Sequence, residues 1–352
     1  MSSRLHGRAR PQFTTKTRRR EGEGEKMKRI SIGTWAYTIG PYQDNPVPFE
    51  TVVKKLRDLE FDGLELGAFN FHKDAHPNPV NCATPAEMEK VKGLMKDAGL
   101  EFSGIAADLW NYPGHEMHLV DAVDGGKAYL EEYRKLLKFT HQMGIKVFRV
   151  DTVQDPDIMK DWKPAQVDEA RKQVVKVWKQ CAREAARVGI DVSWEFEPGF
   201  CFNRPSDIIR IIDEINEPNF GVMFDTCHAY MVGVVASRQT GGPRETVEGG
   251  VLGFAKRLRG TINHIQLIDS DGTLHDNHTS THTPFGEGKV DFGPVLIELD
   301  QQGSVKHDWW TIDLCFWPDA WPGTEKAKKA VDELNKKYGG GKGKASKKNW
   351  LG

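Results

Sequence analysis

Several features that would tie a protein to a membrane, a nucleic acid or an oxidising compartment are missing from this sequence. Its formal net charge of −1 gives no field that would attract nucleic acid or an anionic membrane. No apolar run approaches the roughly 20 residues needed to span a bilayer. The five cysteines are scattered, odd in number and without a CxxC pair. We therefore expect reduced thiols, a cytoplasmic location, and neither nucleic acid nor membrane as a partner.

The two ends of the chain differ in composition from the rest. Residues 1–26 are basic and nearly free of large apolar side chains, which predicts a disordered extension. The REGEGEK segment before Met27 would be encoded by purine-rich codons that resemble a bacterial ribosome-binding site, and this predicts that translation starts at Met27. Residues 339–352 are rich in glycine and lysine, and we interpret them as a flexible basic tail. This leaves one domain, residues 27–338.

From Arg29 onward, short apolar segments alternate with longer amphipathic ones. The apolar segments predict strands at residues 29–35, 61–67, 102–109, 146–152, 191–197, 220–225, 261–269 and 309–315. The amphipathic segments predict helices at residues 49–60, 85–99, 126–144, 168–189, 205–216, 244–260, 292–303 and 324–339. Glycines stand where several of these helices should end: Gly99, Gly144, Gly189, Gly260 and Gly303.

These strand-then-helix units predict an α/β fold with a single closed (β/α)₈ barrel. A doubly wound open sheet is the alternative. Such a sheet usually has a glycine-rich phosphate loop after its first strand, whereas GTWAYTIGPYQDNP at this place contains no GxGxxG pattern. The barrel is therefore favoured, and its chemistry should lie at the C-terminal ends of the strands.

The predicted strand ends carry many acids. They contribute Trp35, Tyr37, Glu65, Asp108, Trp110, Arg149, Asp151, Glu195, Glu197, Asp225, His228, His264, Gln266, Asp269 and Asp313. Carboxylates that share one mouth repel each other unless they are protonated or bridged by a cation. A divalent metal is the simplest way to keep them charged, so the pattern predicts a metal site.

Glu197 and Asp225 end neighbouring predicted strands and are the leading candidate ligands. Glu195 shares a strand face with Glu197, so one of the two should point into the barrel mouth. The alternative for Glu197 is a buried ion pair with a lysine or an arginine. Asp225 offers a hard oxygen, and His228 could ligate a metal or bind a substrate hydroxyl. A helix cap by Asp225 fits less well, because AYMVG is a poor first helical turn.

Histidines cluster around the seventh predicted strand. His264 and Gln266 lie on one face of it, and His264 could equally be a satisfied core residue. The segment HDNHTSTHTPFGEGKVDFG adds His275, His278 and His282 beside a glycine-rich turn. This segment indicates a substrate or metal loop, with a solvated polar loop as the alternative.

Aromatic side chains surround the last predicted strand end. Asp313 lies in WWTIDLCFWPDAW, and a carboxylate among tryptophans is costly unless it is used. The aromatic faces, Trp317 included, suit stacking against a sugar ring or a planar aglycone. Elsewhere in the ring of strand ends, Arg149 could bind an anionic substrate group or form an ion pair with Asp151.

Three segments carry a resemblance to a known family. FDTCHAYMVG, QLIDS and HTPFGEGKVDF resemble motifs of the xylose isomerase-like TIM-barrel superfamily, which includes sugar phosphate isomerases and epimerases, and the resemblance extends over residues 29–338. It implies one divalent ion, Mn²⁺ first and Mg²⁺, Co²⁺ or Zn²⁺ as alternatives, held by Glu197, Asp225, Gln266 and Asp313. Two positions depart from the family pattern, since Gln266 replaces a histidine and Asp313 replaces a glutamate.

Two branches of the superfamily give narrower expectations. Endonuclease members need histidines after strands two and three. His72 and His76 could supply one, but GIAADLWNYPG supplies none, so a nuclease is disfavoured. The segments SIGTWAYTIGPYQDNPVP, FSGIAADLW and DLCFWPDAW resemble catalytic subunits of C-glycoside deglycosidases. That likeness implies a lyase that acts on 3-oxo-glycosides together with a small β-rich partner subunit.

The predicted function is a metal-dependent sugar isomerase or epimerase that acts through an enediolate on a keto-sugar or sugar derivative. The candidate catalytic residues are Glu197, Asp313, His228 and His282. The candidate substrate contacts are Trp35, Trp110, Arg149, His264 and Trp317. A lyase of the C-glycoside deglycosidase type is the first alternative, and a sugar-binding barrel without turnover is the second. The chain could also form a homo-oligomer.

Overall fold

Eight parallel strands form the barrel predicted from the sequence. The computed structural model describes residues 27–69, 76–110, 114–276, 278–301 and 306–340. The barrel strands are β1 (Arg29–Ile32), β2 (Gly63–Ala68), β3 (Glu101–Ala107), β4 (Val147–Val150), β5 (Asp191–Glu195), β6 (Phe220–Asp225), β7 (Ile262–Leu267) and β10 (Trp309–Ile312). Their order in the sheet is β1-β10-β7-β6-β5-β4-β3-β2. The (β/α)₈ fold is confirmed.

The barrel is closed differently between β1 and β2 than elsewhere. The other seven neighbouring pairs form parallel ladders, whereas β1 and β2 share an isolated bridge between Gly33 and Glu65. Two side chains support this seam. Asp62 accepts a hydrogen bond from a backbone N–H of β1 at 2.9 Å, and Thr34 accepts one from a backbone N–H of β2 at 2.8 Å. Side chains therefore supply part of the closure here.

Helices cover the outside of the barrel. They are α1 (Phe49–Asp58), α2 (Pro85–Ala98), α3 (Lys127–Met143), α4 (Pro164–Ala186), α5 (Pro205–Ile215), α6 (Thr226–Tyr230), α7 (Gly250–Arg257), α8 (Phe292–Gln301) and α9 (Ala320–Tyr338). Gly99 and Gly144 follow α2 and α3 in the left-handed conformation, as predicted for helix ends. Within the described ranges, no helix combines the length and the apolar character needed to cross a membrane.

The predicted loop after the seventh strand is largely a β-hairpin. β7 ends at Leu267, and the chain continues into β8 (Asp269–Leu274) and β9 (Ser280–Thr283), which pair antiparallel. The Cys227 thiol of α6 lies 3.4 Å from the backbone oxygen of Thr281, so the hairpin packs against α6. Polar residues of this segment therefore approach the C-terminal end of the barrel.

Several other boundaries differ from the prediction, and α4 and α9, for example, begin at Pro164 and Ala320 instead of residues 168 and 324. β1 ends at Ile32, and Trp35 lies in a 3₁₀ turn, Thr34–Tyr37. The helix predicted at residues 244–260 begins only at Gly250. The shifts at Ile32 and Gly250 arise because a turn forms within a segment whose apolar pattern continues through it.

Some predictions fall outside the described residues. These are the extension at residues 1–26, residues 341–352 of the predicted tail, the candidate His72 and the helix-ending Gly303.

Packing between α4 and β5 fixes the position of β5, which ends at Glu195 and is followed by Glu197. Trp178 of α4 is fully buried and packs on Trp194 of β5, with ring centres 5.0 Å apart. Its indole N–H donates to the Tyr129 hydroxyl at 3.1 Å. Because β5 ends at Glu195, this packing sets where the carboxylate enters the barrel mouth.

Candidate active site

A cavity of about 200 Å³ opens at the C-terminal end of the barrel. Its polar lining consists of Arg149, Glu195, Glu197, His228, Thr279, His282 and Asp313. Its aromatic lining consists of Trp35, Phe69, Trp110, Phe200 and Phe316, and all of these except Phe200 pack together in one cluster. A pocket with convergent polar groups and one apolar wall suits a small polar molecule that has an apolar face.

Asp225 ends β6, and its two oxygens have different surroundings. Oδ1 accepts a hydrogen bond from the backbone N–H of His228 at 2.7 Å, so the side chain caps α6. The prediction that a cap fits less well was wrong, because a short helix does form here and its N–H groups need an acceptor. Oδ2 is buried, and no described group hydrogen-bonds to it. This second oxygen is therefore available to a cation.

His282 reaches the same place from the hairpin. Its Nδ1 lies 3.1 Å from the backbone oxygen of Cys315. Because a carbonyl can only accept, Nδ1 carries the proton of the neutral ring and Nε2 keeps its lone pair. Nε2 is buried without a hydrogen-bond partner among the described residues, 3.9 Å from Asp313 Oδ2. This tautomer is the one a metal ligand needs.

Asp313 follows β10 and is held on one side. Its Oδ1 accepts hydrogen bonds from Trp35 Nε1 and from the backbone N–H of Cys315, both at 2.8 Å. Its Oδ2 faces His282. The two bonds to Oδ1 fix the carboxylate and leave Oδ2 directed at the imidazole.

These side chains fit a divalent cation. Donor atoms of Asp225 and His282 lie within 4.8 Å of each other, and so do donor atoms of His282 and Asp313. Burial, and then the nearby charges of Asp313 and Glu195, raise the pKa of Asp225 well above its usual range. A bound cation would remove this repulsion. Carboxylate oxygens with an imidazole nitrogen suit Mn²⁺, Co²⁺ or Zn²⁺.

Arg149 is buried among three carboxylates. Its Nη1 lies 3.1 Å from Asp151, its Nη2 lies 3.3 Å from Glu197, and its Nε donates to Glu195. The Trp110 ring centre is 5.3 Å from the guanidinium, and the indole N–H donates to Asp151 at 2.8 Å. The structure thus contains both ion pairs that the sequence left open, one to Asp151 and one to Glu197.

Glu195 and Glu197 lie side by side, and both line the cavity. Burial raises the pKa of Glu195 to about 8 and that of Glu197 to about 7, although Arg149 opposes both shifts. Glu197 also accepts a hydrogen bond from the Thr279 hydroxyl of the hairpin. Both Glu197 oxygens therefore have protein partners. To act as a metal ligand, as predicted, Glu197 would have to give up its contact with Arg149 or with Thr279.

His228 links β6 to the hairpin. Its Nδ1 lies 2.8 Å from the Ser280 hydroxyl, and its Nε2 lies 3.9 Å from Glu195. Its ring centre is 5.1 Å from that of His282. Burial, and then the His282 ring, lower the pKa of His228 well below its usual range. It is therefore a neutral imidazole that can donate or accept at the cavity.

Four predicted site residues do not line the cavity: Asp225, His264, Gln266 and Trp317. His264 and Gln266 are fully buried, and the Nε2 atom of each lies 3.1 Å from Glu65 Oε2. His264 is thus a core histidine, as the alternative predicted, with Nε2 hydrogen-bonded and Nδ1 without a partner among the described residues. Trp317 lies in a separate groove beside Phe285. Neither His264 nor Trp317 is placed where it would touch a substrate in this cavity.

Sequence reasoning overlooked three aromatic residues of the cavity, Phe69, Phe200 and Phe316. Phe69 packs on Trp110, with ring centres 4.6 Å apart, and Phe316 stacks on His275 at 4.8 Å. Both follow strand ends in segments without periodicity, so no pattern marks them. Glu195, by contrast, was indicated by its two-residue spacing from Glu197.

Curated relatives match part of the chain. An inosose dehydratase from Yersinia enterocolitica is 25% identical over 198 residues, which are 51% of this chain and 62% of the relative. An inosose dehydratase from Erwinia tasmaniensis is 25% identical over 191 residues, 49% of this chain and 60% of the relative. The chain therefore spans less than two thirds of the length of these relatives.

Solved structures share the fold over most of their length. A D-tagatose 3-epimerase-like protein superposes with a TM-score of 0.63 at 18% identity, covering 88% of this chain and 99% of the other. The 3-keto-D-glucoside 4-epimerase of E. coli gives 0.60 at 16% identity, with 88% and 100% covered. A probable 3-DHS dehydratase of Bacillus anthracis gives 0.61 at 15%, with 86% and 98% covered. A sequence model of a protein family matches residues 53–337, and the chain therefore belongs to the xylose isomerase-like TIM barrel family.

Proposed function

We propose that the chain is a divalent-metal-dependent sugar isomerase or epimerase. The observation that carries this proposal is that His282 belongs to two donor groups, one with Asp225 and Cys227 and the other with Asp313 and Cys315, in each of which the donor atoms lie within 4.8 Å of one another. Asp225 Oδ2 and His282 Nε2 also lack a hydrogen-bond partner among the described residues. A second acidic pair, Glu195 and Glu197, lines the same cavity. Two fold neighbours are named as sugar epimerases, which supports this reaction class.

Asp225, His282 and Asp313 would hold the cation. Mn²⁺ is the first candidate, with Mg²⁺, Co²⁺ and Zn²⁺ as alternatives. When bound, the cation supplies Lewis-acid stabilisation of the negative charge that develops on a substrate carbonyl oxygen. The capped carboxylate of Asp225 and the doubly hydrogen-bonded carboxylate of Asp313 are fixed in advance, so little reorganisation is needed.

Glu197 is the proposed proton carrier. It lines the cavity, and Arg149 and Thr279 hold its two oxygens. Its pKa, raised by burial to about 7, lies near neutral pH, where a group can both take and return a proton. Removal of the proton next to a carbonyl gives an enediolate, and return of the proton to the other face or the neighbouring carbon completes epimerisation or isomerisation. Arg149 positions Glu197 and Glu195 together.

The remaining lining residues would orient the sugar. Neutral His228 can exchange hydrogen bonds with a hydroxyl group. Trp35 and Trp110 have their indole N–H groups bound to Asp313 and Asp151, so their rings are held in place. Aromatic rings fixed in this way offer an apolar surface to one face of a sugar.

A lyase acting on 3-oxo-glycosides is the second candidate, favoured by the aromatic lining. The cluster of Trp35, Phe69, Trp110 and Phe316 would also accommodate a planar aglycone. The same proton removal, followed by loss of a group β to the carbonyl, would cleave such a substrate. Release of aglycone separates this candidate from the first. The sequence also predicts a small β-rich partner subunit or a homo-oligomer and a cytoplasmic location, and it leaves a sugar-binding barrel without turnover as an alternative. These stay predictions.

Asp225→Asn tests the function directly. The wild type, given Mn²⁺ and a panel of ketoses and 3-oxo-glycosides in D₂O, should incorporate deuterium next to the carbonyl. The variant should lose both Mn²⁺ binding and exchange, as measured by calorimetry and mass spectrometry. Because asparagine caps helices as well as aspartate does, α6 should remain intact.

Asp155→Asn is the matched control for this experiment. Asp155 also caps a turn through its carboxylate but lies outside the donor group, so metal binding and exchange should be retained. Exchange that persisted in Asp225→Asn would place the chemistry elsewhere. Exchange missing from the wild type across the whole panel would favour a binding protein without turnover.

The metal-free protein should lose stability as the pH rises from about 4.5 to about 8. Glu195 and Glu197 have pKa values raised by burial in the folded state, to about 8 and about 7. The folded state therefore binds protons more tightly than the unfolded state, and this stabilisation is lost as the pH rises through those values. In chelator-treated protein the melting temperature should fall over this range, and less so in Glu195→Gln. A flat profile in the wild type would contradict the shifts.

Arg149→Met should cost about 3–5 kcal/mol of unfolding free energy, because three buried carboxylates lose their shared cation. Arg183→Met is the comparison. Arg183 pairs with Glu217 at the surface, and its loss should cost about 1 kcal/mol or less. Urea unfolding of both variants measures the difference, and equal costs would show that the carboxylates around Arg149 are not ionised in the folded protein.

A further inference from the structure

A buried polar group lies next to the donor group but outside the cavity lining. Glu65 of β2 and His264 and Gln266 of β7 are each 0% exposed. The Nε2 atoms of His264 and Gln266 both lie 3.1 Å from Glu65 Oε2. The reaction steps proposed above assign no role to these three residues. Burying a carboxylate carries a desolvation penalty, so a role for this group in the site would explain its presence.

The contact with Glu65 fixes which way the Gln266 amide faces. Glu65 Oε2 is an acceptor, so the amide must present its NH₂ group to Glu65 and turn its oxygen away. Gln266 Oε1 is buried and has no hydrogen-bond partner among the described residues. A buried amide oxygen without a donor destabilises the folded protein, and a ligand that accepts its lone pair would remove this cost.

Gln266 is the direct neighbour of Asp225 in the sheet. The two residues are paired in register between β7 and β6, and Gln266 is also paired with Thr311 of β10. Side chains of residues paired in register project to the same face of a sheet. Asp225 Oδ2, like Gln266 Oε1, is buried without a hydrogen-bond partner within the described part of the chain. Two buried oxygens that lack a donor, on residues paired in register, are what a shared cation would satisfy.

Glu65 itself has little freedom. Gly104 of β3 is its register partner, and a Cβ at Gly104 would lie 3.2 Å from Glu65 Oε1. On the other side, His264 is held by Thr311, whose hydroxyl lies 3.2 Å from His264 Nε2 and 2.8 Å from the Ser31 hydroxyl. The carboxylate is therefore enclosed, and it can hold the amide in one orientation.

We propose that Glu65 is a positioning residue that locks the Gln266 amide so that its oxygen becomes a neutral ligand of the cation. This inference rests on the proposed function. It deepens that function by assigning the orientation of one ligand to a residue that touches neither substrate nor cation. A neutral oxygen here also adds no further negative charge to a crowded acidic mouth.

A double-mutant cycle on Mn²⁺ affinity tests the proposal. Gln266→Met keeps the volume but removes the oxygen, and Glu65→Met removes the acceptor that anchors the Gln266 amide. Each should weaken Mn²⁺ binding, measured by isothermal titration calorimetry on folded protein, by about 10–100-fold. In the double variant, Glu65→Met should add no further loss, because Glu65 acts through Gln266.

Glu298→Gln is the control for a purely structural effect. Glu298 is a buried glutamate that pairs with Arg259 far from the barrel mouth, so this variant should lose stability with no change in the Mn²⁺ dissociation constant. Wild-type affinity in folded Glu65→Met would overturn the proposal. If Glu65→Met does not fold, Gln266→Met decides alone, and unchanged affinity in that variant overturns it as well.

The outcomes also separate this inference from the proposed function. If neither the wild type nor Asp225→Asn binds Mn²⁺, the metal-dependent function itself fails. If the wild type binds and Asp225→Asn does not, while Gln266→Met binds as the wild type does, the function stands and the role of Glu65 is disproved. Additive losses in the double variant would likewise disprove it, because they would mean that Glu65 acts independently of Gln266.

Discussion

Charge compensation among buried carboxylates is the constraint on which the rest of the site depends. Arg149 neutralises part of the charge of Asp151, Glu195 and Glu197. Asp225 and Asp313 lie beyond its contacts, and they hold hydrogen bonds only through one oxygen each among the described interactions. The barrel mouth therefore has two acidic halves. One is balanced by a guanidinium that belongs to the chain, and the other has the donor arrangement of a cation site.

The hairpin β8–β9 connects these halves. Thr279 contacts Glu197, Ser280 contacts His228, and His282 faces Asp313. One short excursion of the chain thus supplies a partner to residues from three strands. Its antiparallel pairing explains how alternating small polar residues and a histidine can be presented at fixed spacing, which a solvated loop would not achieve.

The alternation of apolar and amphipathic segments was sufficient to predict the barrel and the end of the strands at which the acids gather, because both follow from periodicity. The partners of those acids could not be predicted in this way. Glu197 meets Arg149, and His282 joins Asp225, across distances in sequence that no local pattern encodes. The cap at Asp225 was misjudged because α6 has only five residues, too few for an amphipathic signal. The ligand role of Glu197 came from its place at a strand end and from the family resemblance, that of Gln266 came from the resemblance alone, and both stay predictions.

The seam between β1 and β2 gives the cylinder an uneven construction. Around most of its circumference the shape is set by the main chain and tolerates changes of side chain. At this junction, hydrogen bonds accepted by the side chains of Thr34 and Asp62 replace most of the backbone ladder. The isolated bridge between β1 and β2 involves Glu65. The diameter of the barrel consequently depends on a few individual side chains at this junction. Substitutions there would widen or narrow the barrel without changing any residue that lines the cavity.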